Sequence, residues 1–164
     1  LRVSPMPTKR LNDLAFTYVK DKHIHAHMRS AFNYAECSTA ERLKVGCVLV
    51  KNDRIISIGY NGMPSGWSNV CEESTLWLDG KQLPHPILIT KPEVLHAEEN
   101  AITKLARSNE SGEGAIAFIT HAPCLSCAKL LYSTGIIKVY YTYMYRDSAG
   151  IDFLKKCKIG VDNI

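Results

Sequence analysis

Two short fragments restrict the fold of this chain more than anything else in it. "HAEENAI" opens with His96 and carries Glu98 two residues on, and "HAPCLSC" carries Cys124 and Cys127 directly after Pro123. An imidazole, two thiols and a carboxyl act together only if the fold brings both fragments to one point. Zinc accepts imidazole nitrogen and thiolate sulfur, and a catalytic zinc takes three protein ligands and keeps a fourth position open. His96, Cys124 and Cys127 supply that set. Each fragment starts a stretch of helical periodicity: Ala97, Ala101, Ile102, Leu105 and Ala106 follow His96, and residues 124–134 read as a helix closed by Gly135. The free amides and dipole of a helix start favour anions, lower a thiol's pKa and so aid metal binding. A lone C-x-x-C would equally suit a redox pair, a structural zinc half-site or two packed cysteines. Glu98 separates these readings, because a structural site needs no free carboxyl, whereas a hydrolytic site needs a base that moves protons.

The remaining periodicities frame those fragments. Residues 23–36 place Ile24, Met28, Ala31, Phe32 and Ala35 on one helical face. "VGCVLV" and "IISIGY" are β-branched runs around the polar turn "KNDR" and predict an antiparallel hairpin. Strands are predicted at 115–120 and 136–142, followed by a last helix at 150–157 and a short strand at 158–161. A helix, two strands, then strands alternating with helices argue for a three-layer α/β/α sandwich on a central five-stranded mixed sheet, its later strands parallel. Residues 1–22 are expected to form a partly ordered N-terminal extension, and 23–164 the catalytic domain. Residues 63–95 hold four prolines and no clean period, and are expected to be a long irregular loop.

Composition bounds the function. The 164 residues carry a net charge of +4 without a basic block, which permits an anionic small ligand but predicts no nucleic-acid groove. No apolar run approaches the roughly 18 residues of a membrane helix, and "LRVSPMPTKR" does not read as a signal peptide. The six cysteines of a chain without that signal are expected to be reduced and cytoplasmic, in the host cytoplasm if the chain is viral.

H-x-E followed by P-C-x-x-C is the signature of the zinc deaminases. Together with "RLKVGCVLV", "GYNGMPSGW" and "YRDSAGIDFLKKCKI", it makes the chain resemble the deoxycytidylate (dCMP) deaminases, the viral and bacterial members above all, from about Ala35 to the C-terminus. The resemblance implies a cytidine deaminase-like fold and hydrolysis of dCMP to dUMP and ammonia, supplying dUMP for thymidylate synthesis. It implies zinc on His96, Cys124 and Cys127, with Glu98 carrying protons to ring nitrogen 3 and to the departing amine. Asn61 would bond the deoxyribose hydroxyl, and the Ala97 amide the base carbonyl. Arg42, Tyr145 and Arg146 are the candidates for the 5′-phosphate, since the arginine fork matches phosphate geometry. Many relatives are homohexamers activated by dCTP and inhibited by dTTP, with Mg2+ on the triphosphate. The resemblance places that regulatory site beside Gly59, Tyr60, Asn61, Gly62 and Gly66, with Lys51 and Arg54 in the neighbouring turn. A second, structural zinc on Cys37, Cys71 and His85 would order the long loop; the fourth-ligand position of relatives is Val94 here, with Glu93 one residue away.

Other features have plain readings. His23, His25 and His27 alternate along a helix and are expected at the surface. Cys47 and Cys157 are expected to be buried packing residues, and Trp67 and Trp77 to pin the loop down. His121 flanks the cysteine fragment without an assigned role. The rival functions are a deaminase of tRNA or single-stranded DNA, a deaminase of cytidine or free cytosine, and a non-enzymatic zinc-stabilised binding module.

Overall fold

A computed structural model describes residues 18–164. The first 17 residues of the expected N-terminal extension lie outside the described residues. The chain runs α1 (Asp21–Ala35), β1 (Gly46–Lys51), β2 (Arg54–Tyr60), β3 (Glu72–Leu78), β4 (Lys81–Thr90), α2 (Ala97–Ala106), β5 (Ile116–His121), α3 (Leu125–Ser133), β6 (Lys138–Tyr143), α4 (Ala149–Lys156) and β7 (Gly160–Asn163). Five strands form one mixed sheet, as expected, and their order is β2-β1-β5-β6-β7. β1 pairs antiparallel with β2 and β5, whereas β5–β6 and β6–β7 are parallel.

The period-2 alternation of a strand sorts the core into two layers. Cys47, Leu49, Ala117, Ile119 and Val139 pack with Ala97, Ala101 and Leu105 of α2, Ala128 and Leu131 of α3 and Leu154 of α4. Val48, Val50, Ile116, Phe118 and Tyr140 face the other way, onto Met28 and Ala31 of α1. β1 and β5 are therefore buried on both faces, which explains why "GCVLV" and "AIAFIT" are continuous apolar runs. Among the described residues no helix is long and apolar enough to cross a membrane.

Helix α2 is fastened to β2 at its N-terminal end. A Cβ on Gly59 would lie 2.0 Å from the Ala97 carbonyl oxygen, so only glycine permits this approach. The Asn100 amide donates to the Tyr60 carbonyl at 2.8 Å, and the Ser57 hydroxyl to that of Ala101 at 2.6 Å. The start of α2 is thus held by backbone contacts to the central sheet.

Several expectations are corrected. Residues 63–95 are not one irregular loop: β3 and β4 form a separate antiparallel hairpin. Pro84 and Pro86 fall where the register slips, between the Thr75–Ile87 and Trp77–Gln82 pairs, the place where a sheet tolerates residues that donate no hydrogen bond. Trp67 and Trp77 do not pin this stretch down, being 58% and 60% exposed. His25 is exposed as expected, but His23 and His27 are not free surface residues. Four apart, they share one helix face and both donate to the Asp53 carboxylate, at 2.5 and 3.1 Å, with His27 buried against Phe118. Cys47 is buried as expected, while Cys157 is half-buried just beyond α4.

Candidate active site

His96 and Cys124 occupy equivalent places, each the extended residue that caps a helix: His96 at φ −72°, ψ 158° before α2, and Cys124 at φ −67°, ψ 167° before α3. The His96 N–H donates to the Glu99 carboxylate at 2.7 Å, which fixes the backbone that carries the imidazole. Cys127 lies in the first turn of α3 and is buried. His96 Nδ1 is 3.3 Å from Cys127 Sγ and 3.7 Å from Cys124 Sγ. All three donor atoms lie within 4.8 Å of one another, and among the described residues no other histidine, cysteine or acid group gathers in this way. Tetrahedral zinc with ordinary Zn–N and Zn–S lengths would hold such atoms about 3.5 Å apart, so the donor set fits that ion in both chemistry and spacing.

The protons of this trio reflect the crowding. Hydrogen bonding from Cys127, and then from His96, draws the Cys124 thiol down to about 3. The His96 imidazole is raised to about 9, chiefly by its bond to Cys124, while the neighbouring thiolate and burial push the Cys127 thiol far above its usual range. Without a cation the trio holds protons that ion binding would displace, so metal affinity rises with pH. Glu98 is 4% exposed. Burial lifts its carboxyl to about 7, with the His96 charge opposing the rise. Near neutral pH such a group both takes and gives a proton.

A cleft of about 350 Å³ opens above this cluster, with His96, Ala97, Glu98 and Cys124 in its wall. Ala97 sits in the first turn of α2, where its N–H has no intrahelical acceptor. Asn61, just past β2, also lines the cleft; its amide accepts from the Val45 N–H and donates to the Leu43 carbonyl, both at 2.8 Å. One N–H and one lone pair of that amide remain for a ligand. Tyr145 and Arg146 enter from beyond β6, with the guanidinium 5.4 Å from the Tyr145 ring centre. Arg42 does not line the cleft; its guanidinium donates to the Thr90 hydroxyl at 3.0 Å.

The three residues expected to hold a second zinc do not converge. Cys71 is packed with Ala40 and Val94 in a small apolar cluster, Cys37 is exposed just after α1, and His85 is exposed on β4. Two of the glycines expected beside a regulatory site have contacts of their own. Gly59 lies in β2 against α2, and the Gly62 N–H donates to the Leu95 carbonyl at 3.1 Å. Lys51 and Arg54 bind the 110–111 turn instead, through the Ser111 carbonyl and the Glu110 carboxylate.

Reasoning from sequence missed Thr90, Lys91 and Pro92 at the end of β4, and His121 at the end of β5, all of them in the cleft wall. Nothing in the pattern of residues 81–92 signals the first three. His121 carried a usable signal: it ends a strand that pairs in parallel, and open α/β sheets place ligands beyond the carboxyl ends of such strands.

Comparison with known proteins follows the same lines. The family model for the cytidine and deoxycytidylate deaminase zinc-binding region matches residues 21–143. Deoxycytidylate deaminase of Enterobacteria phage T4 is 36% identical over 152 residues, covering 74% of this chain and 79% of that protein. The human deoxycytidylate deaminase is 34% identical over 155 residues, 82% of each chain. The dCMP deaminase from the cyanophage S-TIM5, solved in complex with dCMP and dUMP, is 38% identical with a TM-score of 0.77, over 90% of this chain and 100% of that one.

Proposed function

Because the chain belongs to the cytidine and deoxycytidylate deaminase family and is a deaminase of the hydrolase class, we propose that it converts dCMP and water to dUMP and ammonia. The observation that carries this reading is a buried carboxyl, Glu98, in one cleft wall with a three-donor metal group. A homologous dCMP deaminase binding dCMP and dUMP supports the choice of substrate. The catalytic unit is assigned to residues 23–164, with a helix that begins two residues earlier.

Zinc, held by His96 Nδ1 and the two thiolates, would supply Lewis-acid activation of the attacking water. Glu98 takes the proton of that water and passes it to ring nitrogen 3 of cytosine. As the water oxygen bonds to carbon 4, the same carboxyl takes its remaining proton and delivers it to the exocyclic amine, and the carbon–nitrogen bond breaks to release ammonia and leave the carbonyl of dUMP. Its raised pKa suits both transfers near neutral pH. The Ala97 N–H is assigned to the base carbonyl and the Asn61 amide to the deoxyribose hydroxyl. Arg146 with Tyr145 is assigned to the phosphate; Arg42 is left to stiffen the wall through Thr90.

We also assign regulation by dCTP as activator and dTTP as inhibitor, with Mg2+ on the triphosphate and a homohexameric assembly. A second hollow of about 480 Å³, lined by Met63, Trp67, Glu73, Lys91 and Glu93, supports a regulatory nucleotide site by offering room, a cation for phosphate and acidic groups for Mg2+. Six free cysteines support a reducing, cytoplasmic setting, where the dUMP formed feeds thymidylate synthesis.

Ammonia release from dCMP, with and without dCTP and dTTP, tests substrate and regulation together. Glu98→Gln is expected to lower turnover on the order of a thousandfold while zinc content and fold persist. Turnover of a cytosine oligonucleotide in place of dCMP would overturn the choice of substrate. Unchanged turnover in Glu98→Gln would overturn the mechanism.

A further inference from the structure

Thr120 and His121 form a short hydrogen-bond chain that the reaction above does not use. The Thr120 hydroxyl is fully buried and accepts the Gly46 N–H at 3.1 Å. Its own proton needs an acceptor, and among the described residues His121 Nδ1, at 3.0 Å, is the one within reach. A buried hydroxyl left without an acceptor is costly, so Nδ1 accepts and the imidazole proton sits on Nε2. Burial lowers the His121 pKa, which keeps the ring neutral near pH 7. Nε2 has no hydrogen-bond partner among the described residues, and the ring forms part of the cleft wall.

The sheet decides what that donor faces. His121 ends β5 and pairs in parallel with Tyr143 at the end of β6, and the Ala122 N–H continues the pairing to the Tyr143 carbonyl at 2.8 Å. Tyr145 and Arg146 follow directly and line the same cleft. His121 therefore enters beside the strand end that delivers the cleft's arginine.

We propose that His121, oriented by Thr120, donates Nε2–H to the phosphate monoester of the nucleotide and so selects nucleotide over nucleoside. This rests on the nucleotide-deaminase reading above. The neutral ring supplies direction without adding a charge, and Arg146 supplies the charge.

Two measurements test it. In the first, kcat/KM is compared for dCMP and deoxycytidine. His121→Leu is expected to lose on the order of tenfold or more on dCMP, through KM, as for one hydrogen bond to a charged group. Deoxycytidine turnover should fall several-fold less than dCMP turnover, and His121→Gln, which keeps an N–H, should recover part of the dCMP loss. Equal losses on both substrates, or no loss, would overturn the proposal. In the second, imidazole 15N resonances of the wild-type protein should report the Nε2–H tautomer, with Nε2 shifting on titration with inorganic phosphate. An Nδ1–H tautomer or an unmoved Nε2 would overturn it. This measurement needs no turnover, so it stands even if dCMP proves not to be the substrate.

Discussion

The molecule contains two β-hairpins with nearly the same turn and opposite fates. β1–β2 reverses through Asn52 and Asp53, both at positive φ (51° and 60°), and β3–β4 through Asp79 and Gly80 (51° and 74°). Each is a two-residue connection whose twist suits the flanking strands. β1 is buried along nearly its whole length between α1 and α2, whereas β3 and β4 are mostly exposed on both faces. The turn makes a hairpin in either case, but only burial between layers writes a continuous apolar run into a strand. Both hairpins still serve the cleft: the end of β2 delivers Asn61, and the end of β4 delivers Thr90, Lys91 and Pro92.

The sharpest way to separate the two is Gly59→Ala. Its Cβ would meet the Ala97 carbonyl oxygen at 2.0 Å and the Ala101 nitrogen at 2.5 Å. A loss of about 3 kcal/mol in denaturant unfolding is expected, with turnover falling as the start of α2 shifts. Gly80→Ala, at φ +74° in open space, should cost about 1 kcal/mol. That cost should appear as faster amide exchange confined to β3–β4 while the global melting temperature holds. If both variants lower the global temperature alike, the hairpins are one cooperative unit and the contrast fails.

Asp53→Asn probes the inner turn through pH. Hydrogen bonds from His27, and secondarily from His23, hold the Asp53 carboxyl below its ordinary 3.8. A carboxyl whose pKa is lower in the folded state contributes stability above the unfolded value and loses it as pH falls through the folded one. The melting temperature of Asp53→Asn should therefore lie below wild type at pH 6, and the gap should close in acid. A gap independent of pH would show that the carboxylate charge is not what joins α1 to this turn. The smallest effect is expected from Trp77→Ser, within about 0.5 kcal/mol for a surface change away from caps and core. A larger loss would mean that the outer hairpin is covered in solution.

Legibility followed burial. The two halves of the candidate metal group were readable because each opens a helix whose inner face keeps a 3.6-residue period, and β1 and β5 because a strand buried on both faces is continuously apolar. The Asp79–Gly80 turn was a readable hairpin signal, but Leu76, Leu78, Ile87 and Leu88 are all exposed and gave its strands no alternating pattern. The His23–His27 pair was misjudged through the spacing of adjacent histidines, although the four-residue step was the one that mattered.

Residue types and local periodicity alone determined the layers, the parallel half of the sheet, the three candidate metal donors and the carboxyl beside them. Chain packing decided the rest. It turned Arg42 towards Thr90, consumed the Gly62 amide, scattered Cys37, Cys71 and His85, and brought His121 into the cleft. The physical reason is that a helix or strand is specified by neighbours within a turn or two. Which polar atoms find partners depends on segments that meet only after the sheet has formed.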